Sequence, residues 1–203
     1  VSLRNTIAAN LRRHQRHTID LDGRRHAAVA VVVYADEDER DPGFYLCRRP
    51  STMPRHPGQL ALPGGRLDPG ETELQGALRE VHEEIGLELT DADVLGWIDD
   101  FPTRSGFIMS AVALWAGGLK PEPDPHEVAD LFRIPFTELC RDDSPRFMAI
   151  PESDHPVVQL PLGPDNAIHA PTAAILLQFR CVALEGHPNM RVAHLESPTW
   201  AWR

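Results

Sequence analysis

Glu80, Glu83 and Glu84 fall close together in the stretch Arg79-Glu80-Val81-His82-Glu83-Glu84-Ile85-Gly86-Leu87. On a helix, about 100° of rotation per residue gathers their carboxylates within roughly one third of the circumference. Like charges at these spacings cost an isolated helix roughly a few tenths of a kcal/mol per pair. A hard divalent cation removes that repulsion, and Mg²⁺ prefers carboxylate and water oxygens. The competing reading is a plain solvated acidic face. Two neighbours weigh against it. Arg79 flanks the cluster and can orient a carboxylate, and the Gly64-Gly65 turn ahead of the helix lets a backbone carbonyl come close to a cation.

The elements that must hold this cluster are legible in the apolar pattern. Over Glu71–Ile85, residues Leu74, Ala77, Leu78, Val81 and Ile85 keep the three-and-four spacing of a buried helical stripe, and Gly86 signals its stop. Ala27–Tyr34 is a β-branched run of buried-strand length. A charged turn at Asp36–Asp41, with Pro42 and Gly43, leads from it to a second strand at Phe44–Arg48, as in a hairpin. Pro50–Gly65 reads as loop with a short strand near Leu60–Leu62. Val94–Asp99 and Phe107–Ala116 read as strands, Glu127–Leu139 as a short strand and a turn of helix, and Ala173–Leu184 as helix. The stretch Arg141–Asp165, with its Pro and Asp residues, is expected to be the most irregular. Leu3, Ile7 and Leu11 mark an N-terminal amphipathic helix. Strands and helices mix without regular alternation, which favours a layered α/β domain over a doubly wound one.

Composition narrows the partners. A formal net charge of -10 argues against nucleic acid or a membrane surface, both of which call for a basic face. Small anionic substrates stay compatible if bound metal supplies local positive charge. No apolar run reaches membrane-spanning length, and Val1–Leu21 lacks the apolar core of a signal peptide. Cys47, Cys140 and Cys181 are scattered without metal-ligand spacing, so a reducing cytoplasm is the expected compartment.

The pattern Gly65-x5-Glu71-x7-Arg79-Glu80-Val81-x-Glu83-Glu84-x-Gly86-Leu87 resembles the Nudix box without mismatch. The resemblance implies a Nudix-type α/β/α sandwich around a mixed β-sheet and hydrolysis of a nucleoside diphosphate linked to another group. It implies a single domain over residues 1–203, with a helical arm at about 1–22 and a C-terminal helical extension at about 166–203. It also implies Mg²⁺ or Mn²⁺, held by Glu80, Glu83, Glu84 and the carbonyl of Gly65. Glu71 and Arg79 would fix those carboxylates through charge-assisted bonds. Glu83 or Glu80 would be the general base, with Glu127 a weaker alternative. A homodimer is expected by analogy with the family.

Upstream, Met53-Pro-Arg-His56-Pro-Gly58-Gln59-Leu-Ala-Leu62-Pro63-Gly64-Gly65 is similar to the signature of the coenzyme A pyrophosphatase branch of that family. So are Pro102-Thr-Arg-Ser-Gly-Phe107 and Glu127-Val-Ala-Asp-Leu-Phe-Arg-Ile-Pro135. The implied substrate is coenzyme A or acyl-coenzyme A, bound by His56, Gln59 and Ser105, with Arg48, Arg49 and Arg55 available to a 3′-phosphate. Leu62 stands where the branch carries Phe, Met53 where it carries Leu, and His169-Ala170-Pro171 where a Trp-Gly pair is expected before Thr172. These departures leave the carboxylates untouched and bear on the coenzyme pocket. The alternatives are ADP-ribose, NADH or another nucleoside diphosphate derivative, or a Nudix domain that binds a nucleotide without cleaving it.

Overall fold

Ala27–Tyr34 is apolar at every position because it is covered on both faces: each of its residues is buried. It forms most of strand β1 (Arg25–Tyr34), the middle of the larger sheet. The structure is a computed structural model that describes residues 2–36, 38, 40–51, 58–163 and 166–199. The chain divides into two compact units, one of Val1–His26, Trp97–Ala111 and Thr137–Arg203, the other of Ala27–Gly96 and Val112–Phe136.

In the Ala27–Gly96/Val112–Phe136 unit, β2 (Gly43–Arg48) returns antiparallel on β1, with Val33 opposite Phe44 and Tyr34 opposite Gly43, as the hairpin reading expects. Then come β3 (Leu60–Ala61), β4 (Gly64–Arg66), helix α2 (Glu73–Ile85), β5 (Val94–Trp97), the end of β7 (Phe107–Gly117) and β8 (Asp130–Pro135). The strand order is β3-β2-β1-β7-β5, with β4 on β1 and β8 on β2. The Ala35 N–H donates to Gly117 O, at the C-terminal ends of β1 and β7, as in a parallel pair, whereas β2, β3, β4 and β8 join antiparallel. The sheet is therefore mixed. Strand β4 begins inside the stretch Pro50–Gly65, read from sequence as loop with a short strand near Leu60–Leu62.

The other unit opens with α1 (Leu3–Arg13), which Ser2 caps and which buries Ile7 and Leu11. Here β6 (Phe101–Pro102) pairs with the start of β7, Phe101 opposite Met109. After the short helix α3 (Phe136–Leu139), strands β9 (Arg146–Ile150), β10 (Ser153–Leu162) and β11 (Asn166–His169) form a three-stranded antiparallel sheet in the order β11-β10-β9. Arg141–Asp165 is thus largely strand, not the irregular segment expected. Pro156 and Pro161 hide the pattern: β10 tolerates them at a shift of register between Ser153 and Val157 and in its pairing with β11. Helix α4 (Thr172–Phe179) is buried along its whole length and packs on β10 and β11. Its backbone continues over Arg180–Leu184 with a wider turn, the Glu185 N–H donating to Arg180 O. Among the described residues no helix is long and apolar enough to cross a membrane.

Candidate metal and hydrolysis site

Helix α2 starts at a capping box. Thr72 Oγ1 accepts the Gln75 N–H at 3.3 Å, and Gln75 Oε1 accepts the Thr72 N–H at 2.9 Å. The helix therefore begins two residues later than the apolar pattern suggests, and Glu71 stands in the turn before it. At the other end Gly86 takes a left-handed conformation (φ 67°) and donates its N–H to His82 O. The buried stripe is Gly76, Ala77, Val81, Glu84 and Ile85, with Leu74 and Leu78 only half-buried.

Glu84 belongs to that buried stripe although its sequence neighbours are polar. It is 7 % exposed, and its Oε2 accepts the Gly64 N–H at 3.1 Å. Burial pushes its carboxyl up to about 8, helped by the charges of Glu80 and Glu127 and opposed by the Gly64 N–H and Arg49. Burial likewise raises Glu80; Arg79 works against this, while Glu83 and Glu127 add to it. Glu83 is the most open of the three, its side chain 46 % exposed. The cluster is therefore graded from interior to solvent and is not a solvated face.

Arg79 organises the rest. Its Nε donates to Glu71 Oε1 at 2.8 Å and its Nη2 to Glu71 Oε2 at 3.1 Å. Its Nη1 donates to Glu80 Oε1 at 2.9 Å and to Glu83 Oε2 at 2.8 Å, and Nη2 also reaches Arg66 O at 3.2 Å. These bonds, those to Glu71 foremost, raise the guanidinium's pKa. Glu71 in turn sits below the usual carboxylate range because of Arg79 and the Asp68 N–H, which donates to Oε2 at 2.8 Å.

The glycine pair approaches from strand β4. Ala28 lies opposite Gly65 and Val29 opposite Gly64, so the core strand places both residues. A Cβ on Gly65 would lie 2.5 Å from Glu80 Cδ, and one on Gly64 (φ 154°) 2.7 Å from Val29 Cα. Only glycine lets backbone, carboxylate and core meet here.

The donor set suits a hard divalent cation: several carboxylates crowd together, two of them with ionisation opposed by burial and by each other, beside a backbone that has no side chain in the way. Among the described residues, however, no three acidic, His or Cys side chains converge as metal ligands. Arg79 holds Glu80 and Glu83, while Glu84 turns to Gly64. A cation at this position would compete with Arg79 for its carboxylates.

The expected substrate contacts divide. Arg49 is placed by backbone bonds to Gln59 and Gly58, and its charge acts on Glu84. Gln59 is paired with Arg49 through main chain. Arg48 instead lies over the Phe132 ring at 4.9 Å and beside Asp130 at 3.4 Å. Ser105 lies in the first unit, in the turn between β6 and β7, its hydroxyl 3.1 Å from Thr103 Oγ1. Arg55, His56 and Met53 lie outside the described residues. The charge of Glu127, the weaker alternative for the general base, adds to the upward shifts of Glu80 and Glu84. The Gly64 N–H as partner of Glu84 was not foreseeable from sequence, since a backbone donor leaves no residue signature.

Comparison with known proteins bears on the family and the fold. Residues 24–154 match the family model described as NUDIX domain. "Uncharacterized Nudix hydrolase NudL" of Enterobacter sp. (strain 638) is 36% identical over 129 residues, covering 60% of this chain and 63% of that protein. The protein of the same name from Photorhabdus laumondii subsp. laumondii is 34% identical over 131 residues, covering 64% of this chain and 68% of its own length. The chain thus spans about two thirds or less of these relatives. Among solved structures, a MutT/nudix family protein from Enterococcus faecalis superposes with a TM-score of 0.61 at 14% identity, covering 91% of this chain and 70% of that one. That likeness speaks to the fold.

Proposed function

The chain belongs to the Nudix family, and from that premise we propose that it is a divalent-metal-dependent diphosphatase acting on coenzyme A or acyl-coenzyme A. Water attacks one phosphorus of the diphosphate and the bridging P–O bond breaks. The products are 4′-phosphopantetheine, or its acyl form, and adenosine 3′,5′-bisphosphate. The observation that carries this reading is the Arg79-ordered set of carboxylates against Gly65. Bound Mg²⁺ or Mn²⁺ supplies charge neutralisation at the diphosphate and a more acidic water. Glu80, Glu83, Glu84 and the carbonyl of Gly65 are the groups that would hold it. Glu71 and Arg79 fix the directions of those carboxylates, and Glu83 or Glu80 accepts the proton of the attacking water.

Arg48, Arg49, Arg55, His56, Gln59 and Ser105 are proposed to bind the substrate. The coenzyme A assignment draws on the segments around His56–Gly65 and Pro102–Phe107. Leu62, which replaces the Phe of that branch, is buried in the core at 3 % exposure. The replacement therefore alters packing rather than an open wall.

The test is turnover of coenzyme A, ADP-ribose, NADH and dinucleoside polyphosphates with Mg²⁺ or Mn²⁺, beside Glu83→Gln. Preferential cleavage of coenzyme A, lost in the variant, supports the whole reading. Preference for another compound overturns the substrate. Metal binding with no turnover of any of them overturns the reaction and leaves a nucleotide-binding domain.

A further inference from the structure

The C-terminal segment lies along β10 in parallel register. Val157 and Glu196 form the bridge, the Glu196 N–H donating to Pro156 O at 2.9 Å and the Val158 N–H to Glu196 O at 3.3 Å. Two residues back on each segment, His155 and His194 come side by side on one face, because side chains alternate along an extended chain. Their rings meet edge to face, with centroids 5.9 Å apart and planes at 66°. His155 stands where the pairing of β10 with β9 shifts register, between Ser153 and Val157, and such shifts re-aim a side chain.

Both rings border an open cavity of about 310 Å³, which lies wholly within the unit that holds β6, β9, β10 and α4. Phe101, Pro102, Pro171 and Leu195 give it an apolar wall, Phe101 and Leu195 being buried. Its fixed charges are Arg104 and Glu196, and they cancel. The guanidinium donates to both carboxylate oxygens, and Ser153 Oγ donates to one of them at 2.9 Å. Thr103 Oγ1 is committed to the main chain of Phe107. By contrast, among the described residues no hydrogen bond engages a ring nitrogen of His155 or His194, and both residues are exposed.

We propose that this cavity binds a small organic anion, a carboxylate or phosphate monoester on a short apolar body. The head takes hydrogen bonds from His155 and His194, and the body lies on the apolar wall. The ligand class follows from what the lining residues have left to offer. Imidazole is a donor that gains positive charge with a proton, and among the described residues no unpaired carboxylate lines the cavity to repel an anion. A metal ion fits less well, since no third acidic, His or Cys ligand joins the pair among the described residues. The volume is at the low end for small-molecule sites and suits a short chain. No residue of α2 takes part, so the site stands independently of the hydrolytic reading.

The test is calorimetric titration of the metal-free full chain with hexanoate, hexyl phosphate, hexan-1-ol and inorganic phosphate. Wild type, His155→Ala and His194→Ala are compared, with folding checked by thermal melting; both histidines are exposed, so both variants should fold. The expected result is that hexanoate or hexyl phosphate binds, the tighter of the two identifying the head, and that each substitution weakens it by about 10-fold. Hexan-1-ol, which lacks the charge, and inorganic phosphate, which lacks the apolar body, should each bind at least about 10-fold more weakly. Failure of both amphiphiles to bind, or binding that either substitution leaves unchanged, overturns the proposal. Equal binding of the alcohol overturns it because the histidines would then select no anion, and equal binding of inorganic phosphate because the apolar wall would then contribute nothing.

Discussion

Arg79 holds Glu71 with two nearly parallel bonds, Nε to Oε1 at 2.8 Å and Nη2 to Oε2 at 3.1 Å, and spends its remaining nitrogen on Glu80 and Glu83. A planar fork can serve three carboxylates in this way; a single ammonium cannot. Arg79→Lys is expected to lower kcat/KM by about 10- to 100-fold while thermal stability changes little. Steady-state kinetics beside a melting curve check it, and wild-type activity in the Lys variant would refute the organising role.

Gly65 is a question of space. Gly65→Ala would set a methyl on the Glu80 carboxylate, whereas the Cβ of Gly118→Ala would meet nothing closer than Ala35 O at 3.9 Å. The first variant is expected to lose at least about tenfold in activity, because a small displacement of a reacting group is costly, and the second to keep it. Parallel assays of the two decide the point; equal activity would mean that Glu80 moves aside freely.

Glu84 gives the metal-free protein a distinctive pH dependence. Its carboxyl has an ordinary value of 4.5 and is pushed up to about 8 on folding. The folded state therefore favours the proton. The associated stability is full below 4.5 and is lost as pH rises through about 8. Glu84→Gln keeps an acceptor for the Gly64 N–H and removes the charge. It is expected to be more stable than wild type at pH 8, by at most about 4 kcal/mol in metal-free buffer. The difference should vanish near pH 4.5, and urea denaturation at both pH values with chelator present measures it.

Glu196 behaves in the opposite sense. Arg104 donates to both its carboxylate oxygens and Ser153 to one, holding its pKa below the ordinary 4.5, with burial opposing. Its contribution is present above 4.5 and is lost as pH falls through the lower folded value. Glu196→Gln should lower the melting temperature at pH 7, and the gap should close in acid. A gap that does not depend on pH would show that packing, rather than charge, is responsible.

Helix α2 and strands β1, β2 and β7 were legible because each carries a long apolar pattern of one period. Strand β4 was not: Gly64-Gly65-Arg66 offers no side-chain alternation, and its pairing is dictated by Ala27–Val29 some forty residues earlier. The carboxylates could be named from their spacing, yet the burial of Glu84 depends on a backbone N–H that arrives with β4. Strand β10 was lost to Pro156 and Pro161, residues that ordinarily argue against a strand.

The register Ala28–Gly65 and Val29–Gly64 has a consequence for how the protein tolerates change. Ala28 and Val29 are core residues with no reactive group, yet their neighbours across the ladder are the two glycines on which Glu80 and Glu84 rest. Enlarging either one is expected to shift the approach of Gly64 and Gly65 to Glu84 and Glu80 in the proposed site. Screens that score folding alone would pass such variants as benign, and only an activity readout would reveal them as lesions.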